Sequence, residues 1–319
     1  MSYLALLAGL ALLFGGGEAM LRGAVGVARR FGLSEVFVGI AIVGFATSAP
    51  ELFVSVDAAL AGKPQIAFAN VVGSNTANLL LILGVGAALS PILCDPRALT
   101  RDAAMLTLAV AAAAAISVGG GAGRQTGAQL LLALALYLFL AFRHERAAIR
   151  ATRSAPAPTT EAPETPTLSV PALAGLVILG VLALAAGAEA LVWGAVNIAQ
   201  AAGLSERVIG ITLVALGTSL PELATAIVAA TRNQSDVAIG NVLGSCVFNV
   251  FGILGATAVI APIAVDPAEF GEDVAVTAFA SALVLLLAIV ARGLNRPAGA
   301  ALTVLYAGYI AYVFTGGPA

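Results

Sequence analysis

The chain has 319 residues, of which 60% are hydrophobic and 10% are charged, and its formal net charge is −2. Soluble domains carry about 25% charged residues, so this composition excludes a soluble globular protein and indicates a polytopic membrane protein. Two cysteines and one histidine argue against a disulfide framework and a zinc site, and no basic patch points to a nucleic-acid partner.

Ten stretches are apolar and long enough to span a membrane, which takes about 20 residues. Breaks at charged, glycine and proline clusters predict helices over about 3–28, 36–60, 66–91, 102–118, 126–142, 169–201, 207–231, 237–261, 272–291 and 297–315. Segment 143–168 is first charged and then rich in proline, threonine and alanine, so we interpret it as a flexible linker. The prediction is an all-α polytopic membrane protein with one five-helix repeat at 1–142 and another at 169–319.

The basic residues predict the orientation of the chain. Eleven arginines follow the odd-numbered predicted helices: Arg29, Arg30, Arg97, Arg101, Arg143, Arg146, Arg150, Arg153, Arg232, Arg292 and Arg296. The opposite face carries only Lys63, Arg124 and Arg207. The positive-inside rule therefore places the linker in the cytoplasm and both termini outside.

The two halves of the chain are related by an internal repeat at an offset of 171 residues. Segment 47–52 returns at 218–223, and residues 32–84 share 23 identities in 53 positions with their mates. Because each half has five helices, an odd number, the second half must enter the membrane inverted. Inverted repeats of this kind place a substrate site near the bilayer midplane, where both halves meet.

A glutamate recurs inside a predicted membrane helix of each half, as Glu51 and Glu222. A charged side chain at a helix centre costs roughly 2.5–3.5 kcal/mol on insertion scales, so each position is a functional-site hypothesis. Hydroxyl and amide side chains share the helix faces of these carboxylates or recur as i,i+4 pairs on the next helix. They are Thr47, Ser48, Ser74 and Asn78 in the first repeat and Thr218, Ser219, Ser245 and Asn249 in the second.

This set offers oxygen donors only, which suits hard cations such as calcium. Pro50 and Pro221 add backbone carbonyls, because a proline inside a helix loosens the preceding turn around Gly44 to Thr47 and around Ala215 to Thr218. Two glutamates are neutralised by one divalent cation, two monovalent cations or two protons. An empty site would leave two bare charges at low dielectric, so the site favours exchange of one ion for another.

The segments GFATSAPEL at 44–52, NVVGSNTAN at 70–78, ALGTSLPEL at 215–223 and NVLGSCVFN at 241–249 resemble the two α-repeats of the cation/calcium antiporter superfamily, in its sodium/calcium exchanger branch. The resemblance covers the whole chain except the linker and implies a prokaryotic cell-membrane antiporter. It implies that Glu51 and Glu222 are the central Ca²⁺ ligands.

The resemblance also implies how the other donors are used. Carbonyls of Gly44 and Ala215 and hydroxyls of Thr47 and Thr218 would complete the calcium and outer sodium sites. Serines at 48, 74, 219 and 245 would line the flanking sodium sites. Some members carry an acid at the position of Asn78 or Asn249, whereas both are amides here, which leaves the ion stoichiometry and proton coupling open.

The transported ions are expected to be Ca²⁺ and Na⁺, with no cofactor, no obligate protein partner and the lipid bilayer as surroundings. The alternative on the same scaffold is Ca²⁺/H⁺ or other cation/H⁺ antiport. An intramembrane enzyme is disfavoured, because the core offers no basic residue for phosphate chemistry and no histidine base for a serine nucleophile. A passive channel is disfavoured because two carboxylates bind a divalent ion too tightly for easy release.

Overall fold

The computed structural model describes residues 1–94, 96–154, 168–201 and 215–315, and each of the ten predicted segments contains a helix there. In the first half they are α1 (Ser2–Phe31), α2 (Glu35–Val38, Gly39–Gly44, Phe45–Thr47 and Ala49–Leu60), α3 (Pro64–Leu89), α4 (Pro96–Val118) and α5 (Arg124–Ser154). In the second half they are α6 (Val170–Ala201), α7 (Ala215–Thr218 and Leu220–Thr231), α8 (Ser235–Ile260), α9 (Pro267–Val290) and α10 (Arg296–Thr315). Residues 207–214, the predicted start of the seventh helix, lie outside the described residues.

Within these ranges, seven helices are long and apolar enough to cross a membrane, and the bent α2 makes eight. The described part of α7 adds a shorter apolar helix at Leu220–Thr231, and α10 is 20 residues long. The protein is therefore an all-helical, multi-pass membrane protein.

Local sequence explains where several helices begin and end. α9 starts at an Asp-Pro pair, in which the Asp266 carboxylate accepts a hydrogen bond from the Ala268 N–H and Pro267 occupies the first turn. α1 ends at Gly32, whose φ of 69° forms a left-handed cap that few other residues adopt readily.

The linker begins later than the sequence predicts. α5 continues to Ser154, so the expected helix end at 142 and the flexible interpretation of 143–154 are wrong. The arginines and alanines after 142 favour helix, and the first proline comes only at Pro156. Glu145 in this extension accepts hydrogen bonds from the backbone N–H and the hydroxyl of Ser34. Residues 155–167 lie outside the described residues, where the linker stays a prediction.

α1 and α6 pack along glycines that recur every seven residues. Gly9 lies against Gly187 and Gly16 against Gly180, and a Cβ at Gly16 would come within 2.9 Å of the Gly180 carbonyl oxygen. In the repeat, however, Gly9 corresponds to Gly180 and Gly16 to Gly187. Equivalent helices therefore run antiparallel, which confirms that the two five-helix repeats are inverted.

Four two-residue strands join the halves. β1 (Ile92–Leu93) pairs antiparallel with β4 (Gly293–Leu294), and β2 (Gly121–Ala122) pairs antiparallel with β3 (Ile263–Ala264). β3 follows β1 by 171 residues and β4 follows β2 by 172. Exchanging the two halves therefore converts one strand pair into the other, as a two-fold axis between them requires.

α3 and α8 form the centre of the molecule. In an apolar stretch of 18 residues, 72% of α3 and 83% of α8 are buried inside the protein, against 22% of α5 and of α6. The polar residues of α3 and α8 therefore face protein rather than lipid. Around this centre, the Tyr137 hydroxyl donates to Asp102 across α4 and α5 at 3.0 Å, and the Tyr309 hydroxyl donates to Asp273 across α9 and α10 at 2.6 Å. The internal repeat therefore also holds for the packing of the last two helices of each half.

Candidate cation site

The two glutamates stand where a membrane helix is interrupted. α2 bends by 47° at Ser48, and α7 breaks at the equivalent Ser219. The cause is the proline two residues later, which has no N–H and clashes with the carbonyl four residues before it. Glu51 and Glu222 consequently lie in the first turn of a new helix, where the helix dipole favours a negative charge.

The two halves bind each other's carboxylates. The Ser48 hydroxyl donates to Glu222 Oε1 at 3.1 Å, and the Ser219 hydroxyl donates to Glu51 Oε1 at 3.4 Å. Since Ser48 corresponds to Ser219 and Glu51 to Glu222, these bonds are one interaction made twice across the two-fold axis. The structure therefore brings both carboxylates, each only 1% exposed, into one cluster.

Four buried side-chain oxygens of the predicted donors accept no hydrogen bond within the described residues. They are Glu51 Oε2, Glu222 Oε2, Asn78 Oδ1 and Asn249 Oδ1. Buried polar atoms in proteins nearly always have a partner, and an unpaired carboxylate oxygen at low dielectric is especially costly. These four free oxygens are two pairs of repeat mates, and oxygen donors match the coordination preference of a hard cation.

The amide of Asn249 is held by a residue that the sequence analysis missed. Asn75 Nδ2 donates to the Cys246 carbonyl at 3.2 Å, which leaves Asn75 Oδ1 to accept from Asn249 Nδ2 at 3.0 Å. This bond directs the nitrogen of the Asn249 amide to Asn75, and its oxygen has no hydrogen-bond partner in the part of the chain that the structure describes. Asn78 and Asn249 also lie in short π-helical turns, Ala77–Ile82 and Asn249–Leu254, a deviation common at functional sites.

Three further predicted donors, Gly44, Thr47 and Ser245, meet at the Gly44 carbonyl. This oxygen accepts from the Ser245 hydroxyl at 3.2 Å and from the Thr47 hydroxyl at 3.4 Å. The Thr47 hydroxyl also donates to Asn241 Oδ1 at 3.4 Å. Asn241 is therefore, after Asn75, a second residue near the site that was not among the predicted donors. Its signal was present in the sequence, because Asn241 repeats Asn70.

The last three predicted residues are less fully defined. Ser74 is 5% exposed on α3, and Thr218 on α7 forms a polar interaction. Ala215 is described by its backbone only, at the start of α7.

The electrostatics of the cluster favour cations. Its two carboxylates carry a formal charge of −2, and within the described ranges no arginine, lysine or histidine forms an ion pair with either of them. Inverted repeats, two broken helices and a buried all-oxygen cluster between them together define a secondary transporter of cations rather than an enzyme.

Comparison with known proteins identifies the family. The chain matches the family described as "Sodium/calcium exchanger protein" over residues 1–143 and 172–315. It belongs to this sodium/calcium exchanger family and is a cation exchanger of that type.

Relatives of this chain match over nearly its whole length. It is 31% identical to the sodium/calcium exchanger MaX1 of Methanosarcina acetivorans, covering 98% of each chain. It is also 31% identical to the inner membrane protein YrbG of Escherichia coli, over 88% of this chain and 87% of that one. A solved structure of the sodium–calcium exchanger NCX_Mj, soaked with Na⁺ and Sr²⁺, superposes with a TM-score of 0.83 at 31% identity and 97% coverage of both chains.

Proposed function

We propose that the protein is an antiporter of the cell membrane that exchanges Na⁺ for Ca²⁺ by alternating access to the cluster around Glu51 and Glu222. The observation that carries the proposal is the reciprocal pair of serine–glutamate bonds, with one oxygen on each carboxylate that has no partner among the described residues. A divalent cation accepted there would balance the charge of −2 that the site otherwise buries.

The choice of Na⁺ as the counter-ion rests on the neighbouring hydroxyls and on the relatives. The hydroxyls of Ser48 and Ser219 bond to the carboxylates, and those of Thr47 and Ser245 bond to the Gly44 carbonyl. These neutral oxygens suit dehydrated Na⁺, whereas a proton would not need them. MaX1 is named a sodium/calcium exchanger, and the NCX_Mj structure was soaked with Na⁺. Exchange of protons for Ca²⁺ is the competing function, because Asn78 and Asn249 leave the site without a further acid.

The proposal is tested with proteoliposomes loaded with Na⁺ and diluted into Na⁺-free buffer containing ⁴⁵Ca²⁺ at equal internal and external pH. We expect uptake by the unaltered protein and uptake at the level of empty liposomes for Glu51→Gln and Glu222→Gln, because one remaining carboxylate cannot neutralise a divalent ion. Asp57→Asn is the matched control, since Asp57 is an exposed carboxylate two turns further along α2.

Each other outcome has a defined meaning. Uptake that needs a pH gradient and ignores Na⁺ would assign the protein to Ca²⁺/H⁺ exchange. Uptake that survives both glutamine substitutions would refute the site.

A further inference from the structure

A second site is suggested by a cavity at the end of the molecule that the arginine distribution predicts to be cytoplasmic. The cavity has a volume of about 330 Å³ and lies where the C-terminal part of α1, the N-terminal part of α6 and the turn between α7 and α8 meet. None of the residues around Glu51 and Glu222 lines it.

Three arginines and one glutamate line this cavity. Glu18 accepts hydrogen bonds from Arg22, one turn along α1, and from Arg232, at the end of α7. Arg29 has no polar partner among the described residues, although it lines the same cavity. The formal charge of the lining is therefore +2, and the guanidinium of Arg29 is unpaired within the described ranges, which favours an anion.

The other walls are apolar. Leu21 and Val25 of α1 and Leu173 of α6 form them, so the cavity presents a charged region beside a hydrocarbon-like one. The side chains of Arg22 and Arg232 are 64% and 49% exposed, so an anion can reach them from the boundary of the membrane. A free inorganic anion would use only the arginines, whereas an amphiphile would use both kinds of wall.

From these features we propose that the cavity binds the phosphate headgroup of an anionic phospholipid. The guanidinium of Arg29 pairs with the phosphate together with Arg232, and the glycerol and upper acyl carbons lie against Leu21 and Leu173. Basic pockets between membrane helices on the cytoplasmic side are suited to such headgroups.

The repeat shows that the arginines are a feature of one face only. The repeat mates of Arg22, Arg29 and Arg232 are Trp193, Gln200 and Ala61, although Glu18 keeps its glutamate at Glu189. Packing alone would therefore not require them. One wall belongs to α1 and α6 and the other to α7 and α8, so a bound headgroup joins these two helix pairs.

The experiment is native mass spectrometry of the full chain, purified from vesicles of equal parts phosphatidylglycerol and phosphatidylcholine with identical acyl chains. We expect the unaltered protein to retain phosphatidylglycerol in preference to phosphatidylcholine. Arg29→Gln/Arg232→Gln should lower that retention about tenfold, because the variant loses both charge-assisted hydrogen bonds to the phosphate. Arg143→Gln is the control, because Arg143 belongs to the same predicted face but packs on Phe139.

Two further measurements separate lipid binding from misfolding and from the binding of free phosphate. Arg29→Lys/Arg232→Lys keeps both positive charges and should restore much of the retention. Such recovery is not expected if the arginine substitutions release lipid merely by misfolding the protein. Added inorganic phosphate should leave the lipid bound; displacement by phosphate alone would identify the site as one for free phosphate and overturn the lipid proposal. Equal retention of the two lipids, or unchanged retention in the glutamine variant, would also overturn it. Lipid retention is measured without transport, so the result is independent of which ions the protein exchanges.

Discussion

Asn75 and Cys246 occupy equivalent positions of the two repeats, yet only one of them carries an amide. They face each other across the two-fold axis: Asn75 Nδ2 bonds the Cys246 carbonyl, and the Cys246 thiol donates to the Asn75 carbonyl over 3.9 Å. At this point the site loses its exact symmetry, because Asn249 bonds to the amide of Asn75, whereas Asn78 has the thiol of Cys246, a weaker hydrogen-bonding group, in the equivalent place.

We therefore expect Asn75→Ala to weaken Ca²⁺ binding without abolishing transport. Without Asn75 Oδ1, the Asn249 amide is free to rotate its oxygen away from the site, at a cost of about 1 kcal/mol, so the KM for Ca²⁺ should rise about fivefold. Initial rates of ⁴⁵Ca²⁺ uptake at a series of Ca²⁺ concentrations measure this effect.

Cys246→Ala is the control for that substitution. It removes the thiol but keeps the main-chain carbonyl that Asn75 binds, so its KM should match that of the unaltered protein. If Cys246→Ala raised the KM as much as Asn75→Ala does, the hydrogen-bond chain through Asn75 would not be the cause.

The paired donors of the site could be predicted because duplication repeats their spacing. Glu51 and Glu222, with their serines, stand out as polar residues in matching apolar segments. Asn75 could not be found in this way, since its mate is a cysteine and its role depends on a main-chain carbonyl of the other half. Its function arises from the three-dimensional approach of α3 to α8, which the repeat pattern does not contain.

At the scale of helices, the seven-residue glycine spacing lets the backbones of α1 and α6 touch. We predict that Gly16→Val destabilises the protein, because a Cβ there meets the Gly180 carbonyl oxygen and the Leu184 nitrogen at 2.9 Å. Overpacking of this kind costs about 1–3 kcal/mol and should lower the Tm by about 5 °C.

Gly15→Val is the matched control, because apart from its own helix no described residue lies within 4 Å of a Cβ at Gly15. Thermal unfolding of the detergent-solubilised protein, followed by size-exclusion chromatography after heating, measures both variants. Equal loss of stability in the two would show that helix propensity, and not contact with α6, explains the effect.

Helix positions followed from apolar length, and the break in α2 followed from Pro50. Neither the π-helical turns nor the extension of α5 to Ser154 could be predicted from apolar length or from the prolines. A π turn depends on tertiary contacts that compensate the altered hydrogen bonding, and the end of α5 depends on helix propensity, which hydropathy does not measure.

At the scale of the whole molecule, orientation is the property that charge predicts and packing does not. Single cysteines at Ala157 in the linker and at Lys63 on the opposite face, in a chain with Cys94→Ser and Cys246→Ala, provide the test. We expect an impermeant maleimide to label the Lys63 position in intact cells and the Ala157 position only after permeabilisation.

Both native cysteines are buried, so their replacement removes little accessible thiol. The opposite labelling pattern would invert the topology and move the arginine-lined cavity to the outer face. Labelling of neither position before permeabilisation would place both on the same side and contradict the odd number of helices per half.

The strand pairs have a consequence for how the two halves stay together. Each half gives one strand to each pair, α1 of one half lies along α6 of the other, and serine–glutamate bonds cross between α2 and α7. The halves are therefore joined at several places besides the linker. The linker between the repeats then serves mainly to ensure that both repeats are synthesised in equal number. If the coding sequence were divided within residues 155–167, we expect the two fragments to associate into the complete protein.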